Sequence, residues 1–253
     1  MLRKHLLPLV AAPIFSLGLV SGCANNGAYT DSALALGAGV LQATTLSEEQ
    51  VKSVSQQAAD KMDKENKVAP SSSKYAKRLE AITRNLKNAD GLTLNYKVYL
   101  SDQINAFAMA DGTVRVYSGL MDVMPDDQVL AVMQHEIGHV KLKHSYKQMR
   151  EKLLTDAAFQ AVVSAGGTVG ELTQSQLGQI AYAAVNARFS QSDELEADAY
   201  AVKSLHRLGK DPYAMKRSIE TLQKKVGGES SFLSSHPSNE KRLEKIQEEI
   251  SRL

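Results

Sequence analysis

Residues 129–149 read VLAVMQHEIGHVKLKHSYKQM. At about 100° per residue, Val129, Leu130, Met133, Ile137 and Val140 gather on one face of a helix, with Gln134, Gly138 and Lys141 opposite. The spacing predicts an amphipathic helix that carries His135 and His139 side by side at one edge of its apolar face and Glu136 inside that face. A carboxylate there needs a partner, because burying it without one is costly. Two His one turn apart, with a Glu directly after the first, form H-E-x-x-H: both imidazoles reach one metal ion and the Glu points at its water.

Composition limits what else can hold that metal. The 253 residues are 43% hydrophobic and 23% charged, which suits a folded protein of one or two domains. There is no Trp and a single Cys, so an intrachain disulfide and a four-cysteine zinc site are both excluded. A bound metal must use His and carboxylate.

Upstream of the helix, Leu92, Leu94, Tyr96, Val98 and Leu100 alternate with Thr93, Asn95, Lys97 and Tyr99, the period of a strand. INAFAMADGTVRVYSGLM (104–121) predicts two further strands joined at Asp111-Gly112, a favoured hairpin turn, giving a three-stranded sheet. The hairpin strand that ends near Ser118 can pair an extended peptide by adding it to the sheet. Ser47-Glu48-Glu49-Gln50 matches a capping box opening a helix to about Asn66, and a second helix is expected from about Ser73 to Lys87. Asp126 or Asp127 can cap the H-E-x-x-H helix. Helical patterns follow at about 145–165, 174–189, 193–208, 212–226 and 238–251. The expected class is α+β, mainly helical, without an internal repeat or a second domain.

The N-terminus reads as a targeting segment. Arg3 and Lys4 precede an uncharged run from Leu6 to Val20, short for a membrane span of about 20 residues but suited to a signal-peptide core. LVSGC (19–23) then resembles the lipobox of bacterial lipoproteins, which implies that Cys23 becomes the acylated first residue of the mature chain. Ala24, in place of Asp, implies retention at the outer membrane, on its periplasmic face, in a two-membrane bacterium. Residues 1–23 carry two cations and no acid, so their removal takes the formal charge from +2 to 0. A neutral mature chain without a basic stripe argues against nucleic acid as a partner. Residues 24–45 are rich in Gly, Ala and small polar residues and read as a flexible tether. The expected organisation is a signal peptide over 1–23, a tether over 24–45 and one folded domain over 46–253.

A catalytic zinc needs a third protein ligand and an open position. SDELEADAYAVKSLHRLG (192–209) offers Glu194 and Asp198 on one face of a helix that Ser192 can cap and Gly209 can end. Glu194 can ligate the metal while Asp198 hydrogen-bonds a ligand histidine; equally, both can be acids favoured by a helix N-terminus.

Taken in order, HEIGH (135–139), ELEAD (194–198) and HPSNEKR (236–242) resemble the zinc metallopeptidases typified by the HtpX heat-shock protease and the CAAX prenyl protease, and NAFAMADGTVRVYSGLM (105–121) resembles the strand segment preceding HEIGH there. The likeness runs over about 46–253 and, with the lipobox, points to the lipoprotein members of that family. It implies a zincin-like (gluzincin) metallopeptidase domain holding one Zn2+ on His135, His139 and Glu194, with Glu136 as general base and Asp198 bonded to a ligand. Glu194 is preferred to Glu196 because the family ligand lies four residues before the Asp. His236 and Arg242 match positions that hold substrate or the developing oxyanion. For His236 a second role stays open, that of a latch covering the zinc at rest. Pro125 and Gln134 depart from residues common at those positions, which affects the helix entry and the near pocket.

The implied function is a lipid-anchored zinc metalloendopeptidase acting on unfolded or misassembled envelope proteins in quality control. The alternative is a latched, weakly active lipoprotein assembly factor that binds client proteins. Among the remaining histidines, His144 lies about 140° from His139 on an extended helix and is expected to be exposed. His206 suits a helix C-terminus, and His5 leaves with the signal peptide.

Overall fold

The computed structural model describes residues 46–86, 89–156, 172–226 and 231–253. The signal peptide, Cys23 and the tether lie outside the described residues, as does the helical pattern expected beyond residue 156. Among the described residues no helix is long and apolar enough to cross a membrane.

Two helices open the domain, α1 (Glu48–Glu65) and α2 (Lys74–Thr83). Ser47 and Gln50 form the expected capping box, each side chain bonding the other's backbone N–H. Three short strands follow, β1 (Asn95–Tyr99), β2 (Ala106–Ala108) and β3 (Thr113–Tyr117). β3 is central: it pairs in parallel with β1 and antiparallel with β2. The hairpin between β2 and β3 closes through Gly112 N donating to Met109 O at 2.9 Å and Met109 N donating to Thr113 O at 2.9 Å. Gly112 takes φ +90, and a Cβ there would meet Thr93 O at 2.2 Å, so no other residue fits this turn.

The central place of β3 overturns one expectation. The strand ending near Ser118 has neighbours on both sides and cannot accept a peptide; β1 and β2 are the edges, and the outer side of β1 already bonds the backbone of residues 67–69, which leaves β2 as the open edge. Its odd residues bond β3, so the backbone groups of Ala106 and Ala108 turn the other way.

Beyond β3 the chain coils at once into a short helix α3 (Ser118–Val123), which the strand pattern did not separate, and then into the H-E-x-x-H helix α4 (Asp126–Lys141). Pro125 stands at the cap, so Asp126 and Asp127 fall in the first turn. There they favour the helix dipole and pair with Arg78 and Arg217. The remaining helices are α5 (His144–Thr155), α6 (Gln174–Val185), α7 (Gln191–Arg207), α8 (Tyr213–Val226), α9 (Ser231–Ser235) and α10 (Glu240–Ser251). Ser190, not Ser192, caps α7 by a capping box with Asp193, and Gly209 ends it at φ +64.

α4 is the centre of the molecule. Every residue from Gln128 to Val140 is buried, so Gln134 and Gly138 of the polar stripe read from its periodicity face protein instead of solvent, and only Lys141 at its end is exposed. One side, through Val129, Val132, Met133 and Ile137, packs on the sheet residues Val98, Val114 and Val116. The other, through Leu130 and Ala131, packs on Ala201, Val202 and Leu205 of α7 and on Met215, Ile219 and Ile246 behind it. Gly138 is what lets α7 come close: a Cβ there would lie 3.2 Å from Ala197 Cα and 3.1 Å from the Tyr200 ring. That approach sets α7 against the two histidines.

Candidate metal centre

His135 and His139, four residues apart on α4, turn their Nε2 atoms together at 3.1 Å. The carboxylate of Glu194, in the first turn of α7, lies across from them, Oε2 at 3.5 Å from His135 Nε2 and Oε1 at 3.4 Å from His139 Nε2. His236, just after α9, adds Nδ1 at 3.3 Å from His135 Nε2 and 2.8 Å from Glu194 Oε1. All four are buried, and their ligand atoms lie within 4.8 Å of one another. Atoms about 2.0–2.1 Å from a tetrahedral zinc stand roughly 3.3–3.4 Å apart. The spacings found here are close to those edges, and a donor set of imidazoles and a carboxylate suits that ion. The residues fit a metal, with His236 at the fourth corner.

The surrounding residues hold these ligands in orientation. Asp198, one turn beyond Glu194 on α7, sets Oδ1 2.9 Å from His135 Nδ1, the ring nitrogen turned away from the cluster. Arg242 on α10 donates Nε and Nη2 to the two oxygens of Asp198, each at 2.7 Å, and Nη1 lies 2.8 Å from Glu194 Oε2. Nη1 also reaches the carbonyl of His236 at 3.2 Å. One buried guanidinium thus ties α7, the His236 turn and both acids together.

These contacts shift the titrations. Burial opposes ionisation of Glu194, but the three imidazoles facing it hold its carboxyl far below the ordinary range. Asp198 is lowered against its own burial by the charge of Arg242. In the metal-free cluster, burial would lower His135, yet Asp198 and Glu194 raise it to about 9; His139, gaining less from carboxylates, is driven well below its usual value by burial. Glu136 goes the other way: burial raises its carboxyl, with His236 and His135 pulling it back. Its Oε1 is buried without a hydrogen bond, 3.3 Å from His236 Nε2.

The structure therefore brings His135, His139, Glu194, Glu136, Asp198, His236 and Arg242 into one cluster. Two neighbours were not anticipated. His144 is buried instead of exposed, with its Nδ1 3.1 Å from His139 Nδ1. α4 ends at Lys141 and Lys143 adopts φ +64, a left-handed residue that swings the chain back, so the wheel extended from His139 did not apply. Phe189 stacks on His139, rings 3.7 Å apart and 20° from parallel. It sits in a loop with no sequence periodicity to mark it. His206 is on the surface in the last turn of α7.

Beside β2, a cavity of about 810 Å³ opens between the hairpin, α5 and α6, and Phe189 forms its end nearest the ligands. Ser145 Oγ donates to Ala108 O at 3.3 Å, and Phe232 N in α9 donates to Ile104 O at 3.2 Å, so the open edge of β2 is partly occupied.

A family model described as peptidase family M48 matches residues 73–250. Metalloprotease LoiP of Escherichia coli (strain K12) is 45% identical over 235 residues, 92% of each chain. Metalloprotease YcaL of the same organism is 40% identical over 96% of this chain and 97% of its own. The beta-barrel assembly-enhancing protease of Yersinia pestis is 33% identical over 63% of this chain and 35% of its own.

Proposed function

We propose that this chain, which belongs to peptidase family M48 and is a metalloprotease, is a zinc endopeptidase that cleaves unfolded or misassembled envelope proteins while tethered to the outer membrane through lipid on Cys23. The carrying observation is the enclosure of Glu136 beside the convergent ligand atoms of His135, His139 and Glu194. Zinc in that set supplies Lewis acidity and makes water a nucleophile at neutral pH. Glu136 takes the proton of the attacking water and passes it to the leaving amine as the peptide C–N bond breaks. Asp198 keeps the His135 ring oriented, and Arg242 holds Asp198 and Glu194 ionised in a buried place. With its donors spent on those acids and on backbone, Arg242 acts by positioning.

The position of His236 favours a resting form in which the site is latched. Its Nδ1 fills the corner that a substrate needs, and the same segment spends Phe232 N on the edge of β2. A peptide pairing with that edge competes for Ile104 O, so its entry loosens α9 and frees His236 to face the substrate oxyanion. Zinc content, chelator-driven zinc loss and hydrolysis of a quenched unfolded substrate test both parts in one series. Wild-type protein is expected to hold one zinc per chain, to lose hydrolysis as zinc leaves and to regain it on readdition. His236→Ala is expected to release zinc to small chelators faster while turning over good peptides about 10²- to 10³-fold more slowly. If the mutant matches wild type in both assays, His236 is neither latch nor oxyanion donor; if wild type binds no zinc, the peptidase proposal fails.

The lipoprotein signal is supported by the sole Cys falling directly after the apolar run and small residues. Cys23→Ala is expected to abolish incorporation of labelled acyl chains and cleavage by the lipoprotein route. A mutant that still carries label rules out the anchor.

A further inference from the structure

We infer that His144 is a positioning residue for the metal ligand His139: its Nδ1 accepts the proton on the far ring nitrogen of His139 and so holds that ligand in the tautomer able to bind metal. The inference rests on the zinc reading of the site, and proceeds from the hydrogen-bond inventory of two neutral rings. His139 turns Nε2 toward His135 Nε2 and Glu194 Oε1, the other ligand atoms, so with zinc among them Nε2 presents its lone pair to the metal and the ring proton resides on Nδ1. The atom opposite that proton is His144 Nδ1 at 3.1 Å. Two imidazole nitrogens at this distance share one proton, so Nδ1 of His144 must be the acceptor. The proton of His144 is then on Nε2, where two carboxylates face it: Asp193 Oδ1 at 3.3 Å and Glu196 Oε2 at 3.5 Å. His139 Nδ1 and both ring nitrogens of His144 then each face a partner of the matching kind.

The two ligand imidazoles of α4 are thus held in unlike ways. His135 leans on an anion, Asp198, at 2.9 Å. His139 leans on a neutral ring, which only relays the pull of Asp193 and Glu196 from the surface of α7. Ring orientation is fixed from a third side by Phe189, stacked on His139. Chain geometry supplies His144 at this point: the left-handed Lys143 breaks α4 and starts α5, and His144 is the first residue of the new helix, buried beneath the ligand. α7 therefore contributes to both ligands of α4, directly through Glu194 and, for His139, also through the His144 relay.

The test uses the zinc-loaded mature chain with His144→Leu and His144→Asn. Leu fills comparable space without an acceptor, whereas Asn places a carbonyl oxygen near the position of Nδ1. Zinc affinity from chelator competition is expected to weaken about 10- to 100-fold in His144→Leu, the usual effect of losing such a partner. His144→Asn should stay within about threefold of wild type, a rescue that a packing role would not produce. Long-range ¹⁵N–¹H NMR spectra of the wild-type holoprotein are expected to show His144 protonated on Nε2 and bare on Nδ1. Equal zinc affinity in His144→Leu and wild type overturns the inference, as does an Asn variant as weak as a folded Leu variant, or the opposite His144 tautomer. Should the Leu variant not fold, the Asn affinity and the tautomer still decide. Failure of wild-type protein to bind zinc at all would instead count against the zinc site itself.

Discussion

Glu136→Gln is expected to keep one zinc per chain and to lose about 10²- to 10⁴-fold in turnover, the range of a general base removed. The two effects separate because Glu136 is not among the converging ligand atoms: it lies beside them, its Oε1 3.3 Å from His236 Nε2. Gln has nearly the same volume and keeps an oxygen for the imidazole, so the fold and the metal should survive. An amide cannot take a proton from water. His135→Ala, by contrast, removes a ligand and should lose metal and turnover together. The wild-type pH profile carries the same signature. Burial raises the Glu136 carboxyl above the ordinary 4.5, and the base works only when ionised, so kcat/KM should fall as the pH drops through that raised value. A Glu136→Gln protein with wild-type turnover removes the proposed mechanism whatever its zinc content.

Arg242→Met is expected to destabilise the metal-free protein by about 3–5 kcal/mol, the usual result of leaving buried charge without its partner. Asp198 and Glu194 would then lie buried one turn apart on α7 with only the imidazoles for compensation. Asp198 is held below its ordinary value in the folded protein, so its contribution to stability is present above the unfolded value of about 3.8 and is lost as the pH falls through the lower folded one. The penalty of Arg242→Met should accordingly be full near neutral pH and shrink in acid, where protonated carboxyls no longer need a cation. Arg242→Lys should fall between, since an ammonium keeps the charge but not the paired donors that reach both Asp198 oxygens. Urea midpoints of the three proteins at neutral and acid pH measure this. A penalty that is small, or that does not change with pH, means that the guanidinium does not stabilise the two acids.

Legibility in the sequence followed the range of the interaction. Ser47 and Gln50 are three residues apart and make the capping box expected of them, because both partners belong to one turn of backbone. The Gly112 turn is local in the same sense. Elements failed where local patterns met a competing arrangement: Ser118–Val123 coils into a helix although it continues a strand-like run, and Ser190 caps α7 ahead of Ser192 because Asp193 completes the box with it.

For the site, the sequence by itself determined that two imidazoles share one face of a helix with a carboxylate beside them, since the pitch of an α-helix sets residues four apart one above the other. It also determined, through its single Cys, that any metal would rest on nitrogen and carboxylate oxygen. Tertiary structure decided which acids complete the set, because Glu194 and Asp198, 59 and 63 positions away, meet His135 only when α7 packs against Gly138. It decided which strand is the open edge, since strand order depends on the parallel pairing of β1 with β3 and not on the period of either. And it decided the place of His144: a single backbone torsion at Lys143 ends α4, and beyond a helix end the wheel no longer says where a side chain points.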